Sequence, residues 1–258
     1  MSSLRNFYRQ HCENLTMLEK GIKTVQRTLR DYISNDDVSR SYVYTRILSH
    51  LVNSWIEVRL MKLVYTRGAF TDSEKMKIID SRNSLERKWI TALNWAFCNA
   101  FGLINPRDIN EINLPTQTFE QYSKLLEIIR GDLVPTFSIR NRIAHGQWKY
   151  AFTSNLKNIN YPFTNKLKKE NILVLQYRLR MFKSLAQVIH DLAVSTSTFQ
   201  RDFNNNFKKI ENHKKNSNQS DYEKYKRKMI TNKQYGLKKK EEYKKKMMKI
   251  LNAQSDNK

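Results

Sequence analysis

The stretch Val43-Tyr44-Thr45-Arg46-Ile47-Leu48-Ser49-His50-Leu51-Val52-Asn53-Ser54-Trp55-Ile56-Glu57-Val58-Arg59-Leu60-Met61-Lys62-Leu63-Val64 reads as a helix at the centre of a core. Ile47, Leu51, Trp55 and Val58 recur at three- and four-residue steps, and Leu48, Val52, Ile56 and Leu63 run beside them. Together they make a wide apolar face. His50, Asn53 and Glu57 share the polar side at the same spacing. Outward from this segment the period repeats. Leu15, Leu18, Ile22, Val25 and Leu29 predict an N-terminal helix over 4–33, and Asn35-Asp36-Asp37 predicts a turn with a helix cap. Thr71-Asp72-Ser73 opens a helix expected from Glu74 to Phe101, with Leu85, Trp89, Leu93, Ala96 and Ala100 on its buried side and Gly102 ending it. A further helix is expected over Phe119–Arg130, closed by Gly131. Another is expected from Asn171 to Phe199 along Leu175, Phe182, Leu185, Ile189 and Leu192, with Phe203, Phe207 and Ile210 extending its pattern. Six Gly and four Pro in 258 residues leave few of the breakers that punctuate sheets, so the expected class is all-α.

The charge narrows the partners. Forty-seven Lys and Arg against 24 Asp and Glu give a formal charge of +23, far beyond what solubility needs. A polyanion is implied, either nucleic acid, whose condensed counterions are released by Lys and Arg, or an anionic membrane surface. No apolar run approaches the length of a transmembrane helix, and Met1-Ser2-Ser3-Leu4-Arg5-Asn6 opens without the apolar core of a secretion signal. Cys12 and Cys98 stand alone, which argues against a disulfide framework or a zinc site and points to a cytoplasmic setting. Metal-binding and phosphate-loop patterns are missing too, so no metal or cofactor is expected. Residues 201–258 carry 18 Lys and Arg against seven Asp and Glu, a net +11. Apolar residues there keep helical steps (Tyr222-Tyr225-Met229, Tyr243-Met247-Ile250), as in a basic amphipathic extension. The expected division is an N-terminal helix (1–38), a helical domain (39–200) and this extension (201–258).

Residues 147–171 lack helical period and interleave aromatic with basic side chains, which suggests an exposed loop or short hairpin. Trp148 and Tyr150 suit stacking on unpaired bases, and Lys149, Lys157, Lys166, Lys168 and Lys169 suit phosphates. Lys238, Lys239, Lys240, Lys244, Lys245 and Lys246 are the corresponding RNA-binding candidates in the extension.

Chemistry concentrates in Ser138-Ile139-Arg140-Asn141-Arg142-Ile143-Ala144-His145-Gly146. Cleaving RNA without a metal requires a group to take the ribose 2′-OH proton, a donor for the leaving 5′-oxygen, and positive charge on the phosphorane-like transition state. The His145 imidazole is able to act as base or acid, Arg140 offers a planar fork of donors, and Asn141 is able to orient the imidazole or a phosphate oxygen. On a continuous helix Asn141 and His145 share a face, whereas Arg140 lies about 140° from His145. Arg140 and His145 therefore converge through a turn at Ser138–Arg140, through a facing subunit, or both.

The order Arg, polar residue, three variable residues, His resembles the motif of HEPN superfamily ribonucleases, in which Arg is followed by four to six residues and then His. Asn, Asp or His commonly follows the Arg there. The resemblance extends over roughly residues 39–200, although its specific part is this hexapeptide. It implies a HEPN-like antiparallel helical bundle and a homodimer whose two motifs combine in one cleft. It also implies metal-independent endonucleolytic cleavage leaving 2′,3′-cyclic phosphate and 5′-OH ends. A toxin or abortive-infection role against phage, with an antitoxin protein or RNA as partner, belongs to the same implication. Other readings stand beside it. His145 and Gly146 also suit an ordinary helix C-terminus, and a module of this shape and charge can bind RNA or a partner protein without cutting. Arg142 is a phosphate contact or surface residue, and Ile143 and Ala144 are expected in the core. Glu57 either supports Arg140 or Arg142 or pairs on the surface with Arg59 or Lys62.

Overall fold

The computed structural model describes residues 2–80 and 82–255, with side-chain surroundings for 6–80 and 82–249. About 81% of the chain is helical, and no strand occurs among the described residues. α1 (Ser2–Ser34) and α2 (Val38–Val64) form an antiparallel pair across Asn35-Asp36-Asp37. Asp36 adopts φ 56°, and the Asp37 carboxylate accepts the Arg40 N–H, which caps α2. Along α2 the second apolar row is the core row: Leu48, Val52, Ile56 and Leu63 are buried with Trp55 and Leu60. Ile47, Leu51 and Val58 are half-buried.

Three expected helices are interrupted or extended. The one expected from Glu74 to Phe101 is two, α3 (Asp72–Ile79) and α4 (Leu85–Phe101). Asp80 binds the Arg82 N–H and guanidinium, and Ser84 caps α4 by accepting from the Arg87 N–H. Short polar side chains here take the backbone donors that a continuous helix would use. Gly102 ends α4 at φ 71°, as its position suggests. α5 (Thr116–Ile128) does not stop at Gly131. A π-turn over Ile129–Leu133, with the Val134 N–H on the Ile129 carbonyl, carries the helix into α6 (Val134–Ala144). Pro135 supplies the reason. It lacks an N–H and its ring crowds the carbonyl four residues back, and the wider turn accommodates both.

The segment expected as a loop or hairpin keeps one antiparallel bridge, Phe152 with Ile159, and then forms α7 (Tyr161–Lys169), capped by the Asn160 side chain. α8 (Ile172–Val194) ends at Ser195, whose hydroxyl accepts the Thr198 N–H and starts α9 (Thr196–Gln219) back along α8. α10 (Tyr222–Ser255) returns along α1, tied by Lys226–Asp36 and Lys233–Asp31. Ile250, the end of the apolar pattern read there, lies outside the described side chains.

One core joins Ile22 and Leu29 of α1 to Phe199, Phe203 and Ile210 of α9. The expected boundaries near 38 and 200 therefore do not part separate packed units, and residue 201 falls inside α9. A satellite cluster of Ile139, Ile143, Ala151 and Leu167, with Trp148 and Phe163 against it, joins α6 to α7. Among the described residues no helix is long and apolar enough to cross a membrane.

Candidate functional site

α6 is unbroken through Ser138 and Arg140, so the turn that would bring Arg140 toward His145 is absent. Five residues of straight helix separate the two by about 140° of rotation and about 7.5 Å of rise. Within one chain the guanidinium turns elsewhere. It donates to Glu57 Oε2 across the α2–α6 contact at 3.3 Å and to Asn141 Oδ1 at 3.3 Å. Of the partners open to Glu57, Arg140 is the one it has. The pair is accessible, with 34% of the Arg140 and 47% of the Glu57 side chain exposed, so it positions the guanidinium more than it stabilises the fold. Asn141 is exposed beside it.

His145 ends α6. Its N–H bonds the Asn141 carbonyl, its ring is exposed, and no hydrogen bond to the ring forms among the described residues. Gly146 follows at φ 74°, a left-handed turn suited to glycine. Ile143 is buried as expected, but Ala144 is exposed because it falls on the solvent face with Arg140 and Asn141.

The flanking cations divide by role. Arg142 is neither a free surface residue nor an open phosphate contact. It donates to the Phe152 carbonyl and Gln147 Oε1 and lies 5.4 Å over the Phe163 ring, bracing the loop after the motif. Trp148 is likewise engaged, with its indole N–H on the Ile143 carbonyl at 3.0 Å. Its own carbonyl accepts the Tyr42 hydroxyl at 2.7 Å and Arg46 Nε at 3.0 Å. Lys149, Tyr150 and Lys157 are exposed on that loop, and Lys166, Lys168 and Lys169 are exposed on α7. Lys238–Lys240 and Lys244–Lys246 are exposed on α10, and no described contact brings them to α6.

A buried polar chain behind the site escaped the sequence reading. Arg46 is fully buried and stacks on Tyr42 at 4.4 Å, while its second nitrogen reaches the Leu167 carbonyl. One turn on, Ser49 Oγ donates to Glu170 at 2.6 Å, and Glu170 pairs with Arg178 at 2.6 Å. The available signal was Arg46 and Ser49 standing three apart, each next to a residue of the apolar face of this helix. Among the described residues no group of three or more His, Cys, Asp or Glu is placed to hold a metal ion.

No family model, curated protein or solved structure matches the chain. Fold and surface define a class: an all-helical, strongly basic protein with Arg140 and Asn141 in the last turns of α6 and an exposed His145 at its end.

Proposed function

We propose that the chain is a metal-independent endoribonuclease of HEPN type, acting as a homodimer with Arg140, Asn141 and His145 as its catalytic face. The carrying observation is the Glu57–Arg140–Asn141 arrangement, which holds a guanidinium at the solvent surface five residues before an exposed imidazole, on a different side of α6. His145 takes the 2′-OH proton or supplies the leaving oxygen, and Arg140 neutralises the charge that builds on the phosphate. Because α6 is straight, Arg140 of one copy works with His145 of the other. A toxin or anti-phage role, restrained by an antitoxin protein or RNA, is the biological form of this reading.

The test uses mixed cellular RNA in EDTA with wild type and His145→Ala. Cleavage leaving 2′,3′-cyclic phosphate ends is expected from the wild type alone, and equal cutting by both would refute the assignment. A second reading draws on the position of His145 at a helix C-terminus with no side-chain partner, which suits a non-catalytic RNA-binding module. In that case neither protein cuts, and both bind RNA with the same steep salt dependence.

A further inference from the structure

A cavity lies on a different face of α6, where Pro135, Thr136 and Ile139 form part of its wall. It measures about 830 Å³, within the range of small-molecule sites. Its charges do not cancel once pairing is followed. Asp36 is held by Lys226 at 2.6 Å, Asp132 by Lys214 at 2.9 Å, Glu170 by Arg178 at 2.6 Å and Asp37 by Arg40 at 3.5 Å. Glu223 is the one lining carboxylate without an ion pair among the described residues. Lys166, Lys168 and Lys169 at the end of α7 also line the cavity and have no ion pair among the described residues. The surplus is cationic and concentrated on one wall.

Asp37, whose carboxylate caps the 27-residue α2, lines the cavity together with Val38 and Ser41 of that helix. Val174 and Met181 give the same cavity an apolar side.

We propose that this cavity binds a multiply charged phosphate monoester, with the phosphates on Lys166, Lys168 and Lys169 and the body of the ester against Val174 and Met181. Lys166, Lys168 and Lys169 fan around the end of α7, so a multiply charged phosphate, with oxygens for several ammonium groups, matches them better than a singly charged carboxylate. The ester is either a free small molecule or the 5′ end of an RNA strand. The proposal does not rest on the ribonuclease reading.

Binding is measured by calorimetry on the full chain with three probes: inorganic tripolyphosphate, ATP, and a fully 2′-O-methylated RNA oligomer carrying either a 5′-triphosphate or a 5′-hydroxyl. None of these is cleavable through a 2′-hydroxyl, so failure here is separable from failure of the catalytic proposal. Saturable binding of one ATP per chain identifies a free ester, and tighter binding of the triphosphorylated than of the hydroxyl oligomer identifies a strand end. In either case Lys166→Ala/Lys168→Ala/Lys169→Ala is expected to weaken binding about tenfold or more, and Lys238→Ala/Lys239→Ala/Lys240→Ala to change it by less than about twofold. In the unsubstituted protein, ATP or the triphosphorylated oligomer is expected to protect Lys166, Lys168 and Lys169 from amine acetylation more than Lys238–Lys240. Absence of saturable binding by every probe, binding lost only in the α10 variant, or equal acetylation with and without ligand overturns the site.

Discussion

Glu170 shows how a single side chain sets the shape around the candidate site. It sits between α7 and α8 with 1% of its side chain exposed, bonded to Ser49 of α2 and paired with Arg178 of α8. Removing one partner of a buried pair strands the other, so Glu170→Ala is expected to cost about 3–5 kcal/mol. A urea midpoint unchanged from wild type would contradict that. A second residue-scale effect concerns pH. Burial holds His190 below its ordinary value of 6.5, against the pull of Asp191, and burial also lowers His11 and His213. The unfolded chain therefore takes up protons that the folded chain resists. Stability is fully present above about pH 6.5, declines as pH falls through that value, and levels off below the folded-state values. His190→Gln is expected to flatten the dependence of the urea midpoint between about pH 7 and about pH 5. An undiminished slope would assign the effect elsewhere.

At the scale of elements, two glycines near the motif behave oppositely. Gly131 lies in the π-turn with nothing within 4 Å of an added Cβ and no positive φ, so Gly131→Ala is expected to stabilise by about 0.5–1 kcal/mol. Gly146 sits at φ 74°, and Gly146→Ala is expected to cost about 1–2 kcal/mol. Thermal melts of the two variants should move in opposite directions, and a shared sign would show that backbone conformation does not govern them. These glycines also mark how far the sequence could be read. Apolar period located the long helices on the main core but not the nine-residue α7, which packs on a small satellite cluster through Leu167 and Phe163. Where a helix stops or continues depends on local competition for backbone donors, as at Asp80–Ser84 and Ser195, or on tolerance of Pro135. A stripe of apolar residues carries no record of either. The hexapeptide of the candidate site was visible because its residues are neighbours, as was Glu57 as a possible partner. The clamp joining Arg46 to Trp148 was not, because it links positions 102 residues apart.

The whole molecule bears on whether two copies can share a site. Each chain carries +23, so association works against long-range repulsion that added salt screens. If Arg140 of one copy serves His145 of the other, an equal mixture of inactive Arg140→Ala and His145→Ala proteins contains heterodimers with one intact pairing. Random exchange makes half the dimers mixed and leaves one of their two pairings whole, so about a quarter of wild-type cleavage is expected to return. Mixtures that stay inactive after denaturation and joint refolding would mean that each chain must supply both residues. Size-exclusion measurements at moderate salt on the same mixtures separate this outcome from failure to pair.

α10 has a consequence for how the protein breaks. From Gln234 to Lys249 every residue is exposed, and the helix there depends on its own hydrogen bonds alone. A solvated helix of that kind opens locally at little cost, long before the core does. It also carries a lysine at nearly every other position. A brief digest with a lysine-specific protease is thus expected to shorten the chain from its C-terminal end first and to pause near Lys233, which Asp31 holds against α1. The fragment that accumulates would keep α1 through α9 and the first turns of α10 and shed eight of the 18 Lys and Arg of the basic extension, giving a version of the protein trimmed by its own weakest segment.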